Sequence, residues 1–259
     1  MKKGICLGCV PGETVEAKMK LAKDAGYDGV EIPTFPTIAE AEQAKAIAEA
    51  VGLEIHSVMG GIHWQKPLSS PDKKTRQEGI AGIEHAIDVA AATGAATMLL
   101  VPGVVNPETT YEYAMKEAAK SIRKLLPRAK KRKVIIAVEN VWNKFLLSPI
   151  EMAKFVDQFD SKWVQAYFDV GNILLYGYPQ HWILSLGKRI KKVHVKDFQV
   201  GPKQFVHLLQ GDVPWAEVMK ALRKIKYEDY ITVELPPYKD DPKKMPYDMS
   251  EALDRIFAM

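Results

Sequence analysis

The sequence predicts an α/β fold, a closed (β/α)8 barrel of the TIM type, as one domain over residues 1–259. Three observations predict it. Short β-type runs alternate with longer helical runs eight times along the chain. Helices end repeatedly at glycine just before the next strand, as in DAGYDGVEI, AVGLEI and ATGAATM, where a tight αβ turn needs a left-handed cap. Finally, acid or imidazole side chains stand at the ends of four successive apolar runs, the place where such a barrel collects its functional groups. An open doubly wound sheet also alternates strands and helices, but it would not bring four neighbouring strand ends around one point.

The first strand is expected over 3–8, followed by a helix from about Thr14, and the second over 28–32, followed by the Ala/Glu-rich helix from about Thr37. A third strand over 53–59 leads into a long polar loop and a helix opened by Ser70-Pro71-Asp72, an N-cap with proline early in the first turn. The fourth strand is expected over 96–101. The fifth, over 133–139, precedes a helix that Ser148-Pro149 starts in the same way. Strands six to eight are expected over 164–169, 190–195 and 230–234, with helices near Trp182, over 215–224 and over 250–257. No linker, low-complexity tract or shift in composition divides the chain.

Composition narrows the classes of function. The 36 Lys and Arg nearly balance 32 Asp and Glu, leaving +4, which gives no warrant for a partner such as nucleic acid. The basic run from Arg128 to Lys133 sits at the carboxyl end of an expected helix, where cations complement the helix dipole. No apolar run reaches the roughly 18 residues of a membrane span, so no membrane partner is expected. The short, Gly-broken start does not read as a signal peptide, and a cytoplasmic protein is expected. Self-association into a homo-oligomer is left open. Cys6 and Cys9 form a lone CLGC with no second metal-binding pair, and both read as free, small apolar residues at the end of the first strand.

Glu139, Asp169, His194 and Glu234 are the four strand-end residues, and they are too far apart in the chain for a local loop to explain them. Oxygen donors with one imidazole suit Mn²⁺, Mg²⁺ or Co²⁺, with Zn²⁺ a further option, and the absence of thiolate argues against a structural zinc site. Taken singly, each carboxylate could equally be a helix cap or the partner of a buried cation. As a set on adjacent strands they read as one divalent-metal site.

The words VEN at Glu139, FDVGN at Asp169, VHVKD at His194 and VELPPY at Glu234, with GYDGVEI early in the chain, resemble the xylose isomerase-like TIM-barrel superfamily of sugar isomerases and epimerases. The likeness spans nearly the whole chain. It implies that Glu139, Asp169, His194 and Glu234 share one ion. It further implies that Glu139 and Glu234 act as bases on a sugar or sugar phosphate chelated through a carbonyl and its neighbouring hydroxyl, moving a proton through an enediolate. Two carboxylates on opposite faces would epimerise; one shuttling base would interconvert aldose and ketose.

The chain departs from ketose 3-epimerases at three places. Those enzymes carry a histidine three residues after the ligand Asp and an arginine six after the ligand His, where this chain has Asn172 and Val200. A further glutamate shortly after the first ligand is replaced by ENVWNKF, which supplies Trp142 and Asn143. Asn172 and Trp142 thereby become candidates for substrate contact. An apurinic endonuclease of the same superfamily is disfavoured, because its three-metal cluster needs several more histidines than the six in this chain.

Other candidates lie near the same strand ends. His56, read as ending the third strand, and Glu31, as ending the second, could touch substrate or simply be satisfied in the core. Trp64, in the loop that Gly60-Gly61 begins, could form an apolar wall for a sugar ring. Lys196 could polarise a substrate oxygen, although pairing with Asp197 or Glu234 is the favoured reading. A metal-dependent lyase that dehydrates a keto-inositol, and a non-catalytic sugar-binding barrel, remain as alternatives. The metal ligands alone do not separate the lyase from the epimerase.

Overall fold

Helix starts and stops follow the local chemistry closely. The computed structural model describes residues 1–259. Thr14 caps α1 (Val15–Asp24), Thr37 with Glu40 forms a reciprocal capping box on α2 (Ile38–Val51), and Thr110 caps α4 (Tyr111–Arg132). Each cap satisfies backbone donors that the first turn leaves free, worth about 1 kcal/mol apiece. Gly52 and Gly94 end α2 and α3 (Lys73–Thr93) at φ of 74° and 80°, the left-handed caps expected there.

These helices alternate with β1 (Lys2–Cys6), β2 (Gly29–Pro33), β3 (Glu54–Met59), β4 (Thr97–Leu100), β5 (Ile135–Glu139), β6 (Val164–Asp169) and β7 (Ile190–Val195). After β5 comes α5 (Pro149–Asp157), and after β6 comes α6 (Pro179–Leu186). The hairpin β8 (Asp197–Gln199) and β9 (Gln204–Val206) follows β7, and α7 (Trp215–Lys224), β10 (Tyr230–Val233) and α8 (Lys244–Phe257) complete the chain. All pairs in the barrel are parallel, and the sheet closes in the order β1-β10-β7-β6-β5-β4-β3-β2. It is therefore the closed eight-stranded barrel with eight helices, and β10 is its eighth strand.

Side chains alternate along each strand between the helices outside and the barrel interior. One face of each strand joins an apolar core shared with the helices, to which Met98, Leu100, Ile136, Val138 and Phe168 belong. The other parity fills the barrel, where Leu99, Val101, Ala137, Val141 and Tyr167 form a separate small cluster. Glu139 and Asp169 continue the inward parity of Ala137 and Tyr167, which aims both carboxylates into the barrel mouth.

Several boundaries differ from the sequence expectation. Asp72 alone caps α3, so Pro71 precedes the helix instead of lying in its first turn, whereas Ser148-Pro149 at α5 is placed as expected. The first strand stops at Cys6 because a short turn of 3-10 helix over Leu7–Cys9 follows. The last helix begins at Lys244, well before 250. The stretch after β7, expected as plain loop, contains the β8–β9 hairpin, whose turn is Val200 to Lys203. The basic run at the end of α4 meets α3, with Arg132 Nε 2.8 Å from Asp88 Oδ1.

Candidate functional site

Four strand ends bring their side chains together. Glu139 ends β5, Asp169 ends β6, His194 lies one residue before the end of β7, and Glu234 directly follows β10. The register pairs Asp169 with His194 across β6 and β7, so the two stand side by side. One ligand atom from each of the four residues fits within a sphere in which all lie within 4.8 Å of one another. Asp169 and His194 are fully buried, Glu139 is 5% exposed, and Glu234 reaches furthest into the open with 26% of its side chain accessible.

The imidazole of His194 has two distinct neighbours. Its Nδ1 faces the cluster, 3.0 Å from Glu139 Oε1 and 3.7 Å from Glu234 Oε2. Its Nε2 lies 3.0 Å from Glu31 Oε1, on the side away from the other ligands. A carboxylate behind a ligating histidine fixes the ring and its tautomer and raises its basicity. Glu31, fully buried in β2, occupies that position instead of facing the pocket. Cys6 Sγ sits 3.5 Å from both Glu31 Oε1 and His194 Nε2, and burial pushes its thiol well up, so it is a protonated neighbour of this pair. Both cysteines are free, as expected.

Asp169 is held by a clamp of two asparagines. Asn140 Nδ2 donates to the Asp169 carbonyl at 2.8 Å, and the Asp169 N–H donates to Asn140 Oδ1 at 2.9 Å. The Asn172 N–H donates to Asp169 Oδ1 at 2.7 Å, while Asn172 Nδ2 donates to the Asn140 carbonyl at 2.9 Å. Asn172 lines the pocket, and one N–H of its side-chain amide is spent on the Asn140 carbonyl. Gly171 permits this packing, since a Cβ there would lie 2.5 Å from the Lys196 carbonyl oxygen.

The electrostatics follow from three carboxylates and two bases in a dry space. Burial, reinforced by Glu234 and Asp169, raises Glu139 to about 7 against the pull of His194. Burial also raises Asp169, opposed mainly by Lys196. For Glu234 burial acts upward, but His194 and Lys196 outweigh it and leave the carboxyl below its ordinary range. His194 is raised well above an ordinary histidine, because Glu31 and Glu234 overcome the cost of burying its charge. Lys196 Nζ stands 3.0 Å from Asp169 Oδ2 and bonds Glu234, so the pairing favoured from the sequence is realised, with Glu234 and Asp169 and not with Asp197.

This donor set fits a divalent cation. Carboxylate oxygens and one imidazole nitrogen converge from four directions, and Asp169 Oδ2 is buried with no aligned hydrogen-bond donor. Burial, with Glu234 and Asp169 adding repulsion, pushes Glu139 up to about 7, and a cation among the carboxylates offsets both effects.

A cavity of about 230 Å³ opens onto the cluster, lined by Glu139, Glu234, Lys196 and Asn172 together with apolar walls. Trp64 and Trp142, both proposed from the sequence, are two of those walls. Met59, His63, Leu99, Val141 and Phe205 complete the lining and were not among the sequence candidates for substrate contact. Phe205 left little signal in the sequence, because the two strands of the hairpin that carries it are three residues each. His56 lies elsewhere. It is buried in β3, stacked on the Tyr230 ring with centroids 4.1 Å apart, deeper in the barrel than the cavity. A larger cavity of 500 Å³ lies at the opposite mouth, between Lys2, Glu54 and Tyr230, where Lys2 and Glu54 pair at 2.9 Å. It holds none of the strand-end ligands.

The model of the family described as xylose isomerase-like TIM barrel matches residues 19–256. Among curated relatives, SgbU of Escherichia coli K12, named provisionally as an L-ribulose-5-phosphate 3-epimerase, is 27% identical over 235 residues, covering 84% of this chain and 82% of its own. The L-ribulose-5-phosphate 3-epimerase UlaE of Salmonella paratyphi A is 25% identical over 227 residues, covering 83% and 80%. Among solved structures, a D-tagatose 3-epimerase-like protein superposes with a TM-score of 0.86 at 19% identity over 99% of this chain and 98% of that one. The 3-keto-D-glucoside 4-epimerase YcjR of E. coli gives 0.84 at 18% over the whole of both chains. At such identities the structures establish the fold.

Proposed function

The chain belongs to the xylose isomerase-like TIM-barrel family, and from that premise we propose that it is a divalent-metal-dependent epimerase or isomerase of a sugar or sugar phosphate. The observation that carries this reading is the placement of two carboxylates in one pocket, Glu139 on β5 and Glu234 after β10, flanking Asp169 and His194 in the barrel order. The names of the curated relatives, L-ribulose-5-phosphate 3-epimerases, support proton transfer at a carbon beside a ketone.

Glu139, Asp169, His194 through Nδ1, and Glu234 would hold the ion, and oxygen-rich ligation with one nitrogen favours Mn²⁺, Mg²⁺ or Co²⁺, with Zn²⁺ tolerated by the same set. Bound there, it supplies Lewis acidity to the carbonyl and hydroxyl oxygens of an α-hydroxy ketone, acidifying the C–H between them.

The chain's own groups account for the rest. Glu139, in its ionised form, stands in the pocket wall where it can take a proton from carbon. Glu234, on the other flank, takes up a proton from solvent once substrate is bound and gives it to the carbon of the resulting enediolate, while Glu139 releases the proton it took to solvent. Delivery to the opposite face inverts the centre, and that is the epimerase outcome. Lys196 holds Glu234 and Asp169 and keeps Glu234 ionised before substrate enters. Glu31 keeps Nδ1 of His194 turned toward the cluster. Trp64 and Trp142 shield the reacting carbons from water.

Incubation with a panel of ketoses and ketose phosphates in D₂O with Mn²⁺, followed by NMR, tests the reading. Solvent deuterium at the carbon beside the carbonyl, with no loss of water from the sugar, is expected. Elimination of water from a keto-inositol without sugar exchange would instead identify a lyase.

A further inference from the structure

We infer that the substrate is an unphosphorylated polyhydroxy ketone, a ketose or keto-sugar whose far end presents an uncharged carbon face, and that the site is built against a terminal phosphate. This rests on the epimerase reading of the pocket and narrows its substrate class, departing from the phosphate esters in the names of the curated relatives.

The charge of the pocket carries the argument first. Lys196 is its sole lysine or arginine, and its ammonium is already shared between Asp169 and Glu234. His63, the other basic lining group, is held near 4 by burial and is neutral at pH 7. Its Nδ1 accepts the Val101 N–H at 3.4 Å. A phosphate dianion at the far end of a sugar held at the metal would lose its hydration among apolar walls and find no free side-chain cation.

The place where barrels of this kind bind phosphate is already filled. Phosphate usually rests on backbone donors in the loops after the seventh and eighth strands, beside a helix N-terminus. Here the carboxylate of Asp197, fully buried as the first residue of β8, takes those donors from inside the protein. It accepts the N–H groups of Phe198 at 2.9 Å, Leu209 at 2.9 Å and Val213 at 3.1 Å, and the indole N–H of Trp215, the first residue of α7, at 2.9 Å. Gly211 closes over it so tightly that a Cβ would lie 2.3 Å from Asp197 Oδ1. After the eighth barrel strand the chain reads Leu235-Pro236-Pro237, and two prolines bring no N–H at all.

The remaining walls suit carbon. Trp142 stacks on Phe205 with centroids 4.7 Å apart, and its indole N–H is donated to the Asn172 carbonyl at 2.9 Å. Its polar edge is therefore occupied and its ring supplies only an apolar surface to the cavity. Met59, Leu99, Val141 and Trp64 extend that surface. Aromatic and aliphatic faces of this kind pack against the C–H side of a sugar and reward no anion.

The full chain loaded with Mn²⁺ should be titrated calorimetrically with matched pairs, L-ribulose with L-ribulose 5-phosphate and D-fructose with D-fructose 6-phosphate. The free member of a pair is expected to bind at least about tenfold more tightly than its ester. Trp142→Ala should weaken the free ketose about fivefold or more and leave the ester unchanged. Equal or tighter binding of the esters, or no binding of either free ketose, overturns the inference. Deuterium exchange in the same samples reads the reaction separately: a preference for the free sugar without exchange keeps the charge rule and removes the epimerase reading.

Discussion

The two halves of the barrel mouth differ in kind. On one side β5, β6, β7 and β10 end in Glu139, Asp169, His194 and Glu234. On the other, β1, β2, β3 and β4 end in Cys6, Pro33, Met59 and Leu100, and the polar group they contribute to the cluster, Glu31, stands behind His194 and outside the cavity lining. The first half carries the side chains with individual chemical tasks, beside the walls Val141, Trp142 and Phe205. The second half offers surface, and its residues act together through shape. Loss of one group should therefore be severe in the first half and graded in the second.

Neutralising either carboxylate should have the largest effect. Glu139→Gln and Glu234→Gln are each expected to reduce kcat by about 10²- to 10⁴-fold, the range for removal of a positioned base. A variant of either with near-normal turnover on a sugar that the wild type converts would show that the two-carboxylate division of labour is wrong.

Glu31→Gln tests whether the quiet half reaches into the active half. Without a charged partner on Nε2, His194 should be a weaker donor, and affinity for Mn²⁺ should fall about 10- to 100-fold. An unchanged dissociation constant by calorimetry would confine Glu31 to packing.

The third test is the pH dependence of metal-induced stabilisation. In the metal-free protein Glu139 titrates near 7, above its unfolded value, so the folded state binds the extra proton between those two values. Its contribution to stability is present at low pH and is lost as pH rises toward and through 7. An ion that replaces the proton reverses this, because it binds the ionised carboxylate more tightly. The rise in Tm on adding Mn²⁺ should be larger at pH 8 than at pH 6. The opposite order would mean that Glu139 does not ligate.

Trp64→Ala belongs to the graded half and should have the smallest effect. The indole is half exposed, so its loss is expected to raise KM about threefold with kcat within a factor of about two. A collapse of kcat would place Trp64 with the chemical groups instead of the walls.

Much of the first half was legible in the sequence. Each ligand sits at the end of an apolar run, and the alternation of strands and helices dictates that such ends converge. The supporting groups were harder to read, since their roles arise from neighbours distant in the chain. Asn140 follows Glu139 directly, yet its task is to clamp Asp169 on the next strand. Glu31 and His56 occupy inward positions on neighbouring strands and looked equivalent. A register shift between Val30 and Glu31 in the β2–β3 pairing sets Glu31 opposite Ser57, and the two side chains end at different depths, one against His194 and one against Tyr230. The β8–β9 hairpin was missed because its strands are three residues each, too short to show a period, although it supplies Phe205 to the cavity.

By itself the sequence determined the number of β/α units, the caps that begin and end the helices, and the four residues that meet at the barrel mouth. These depend on local spacing and on the parity of strands, which a linear pattern encodes. Only the tertiary structure decided which nitrogen of His194 faces the cluster and which faces Glu31, what Lys196 pairs with, and that Asp197 occupies a cradle where a phosphate could otherwise rest. Those outcomes depend on distances of about 3 Å between residues far apart in the chain, and closure of the barrel fixes them.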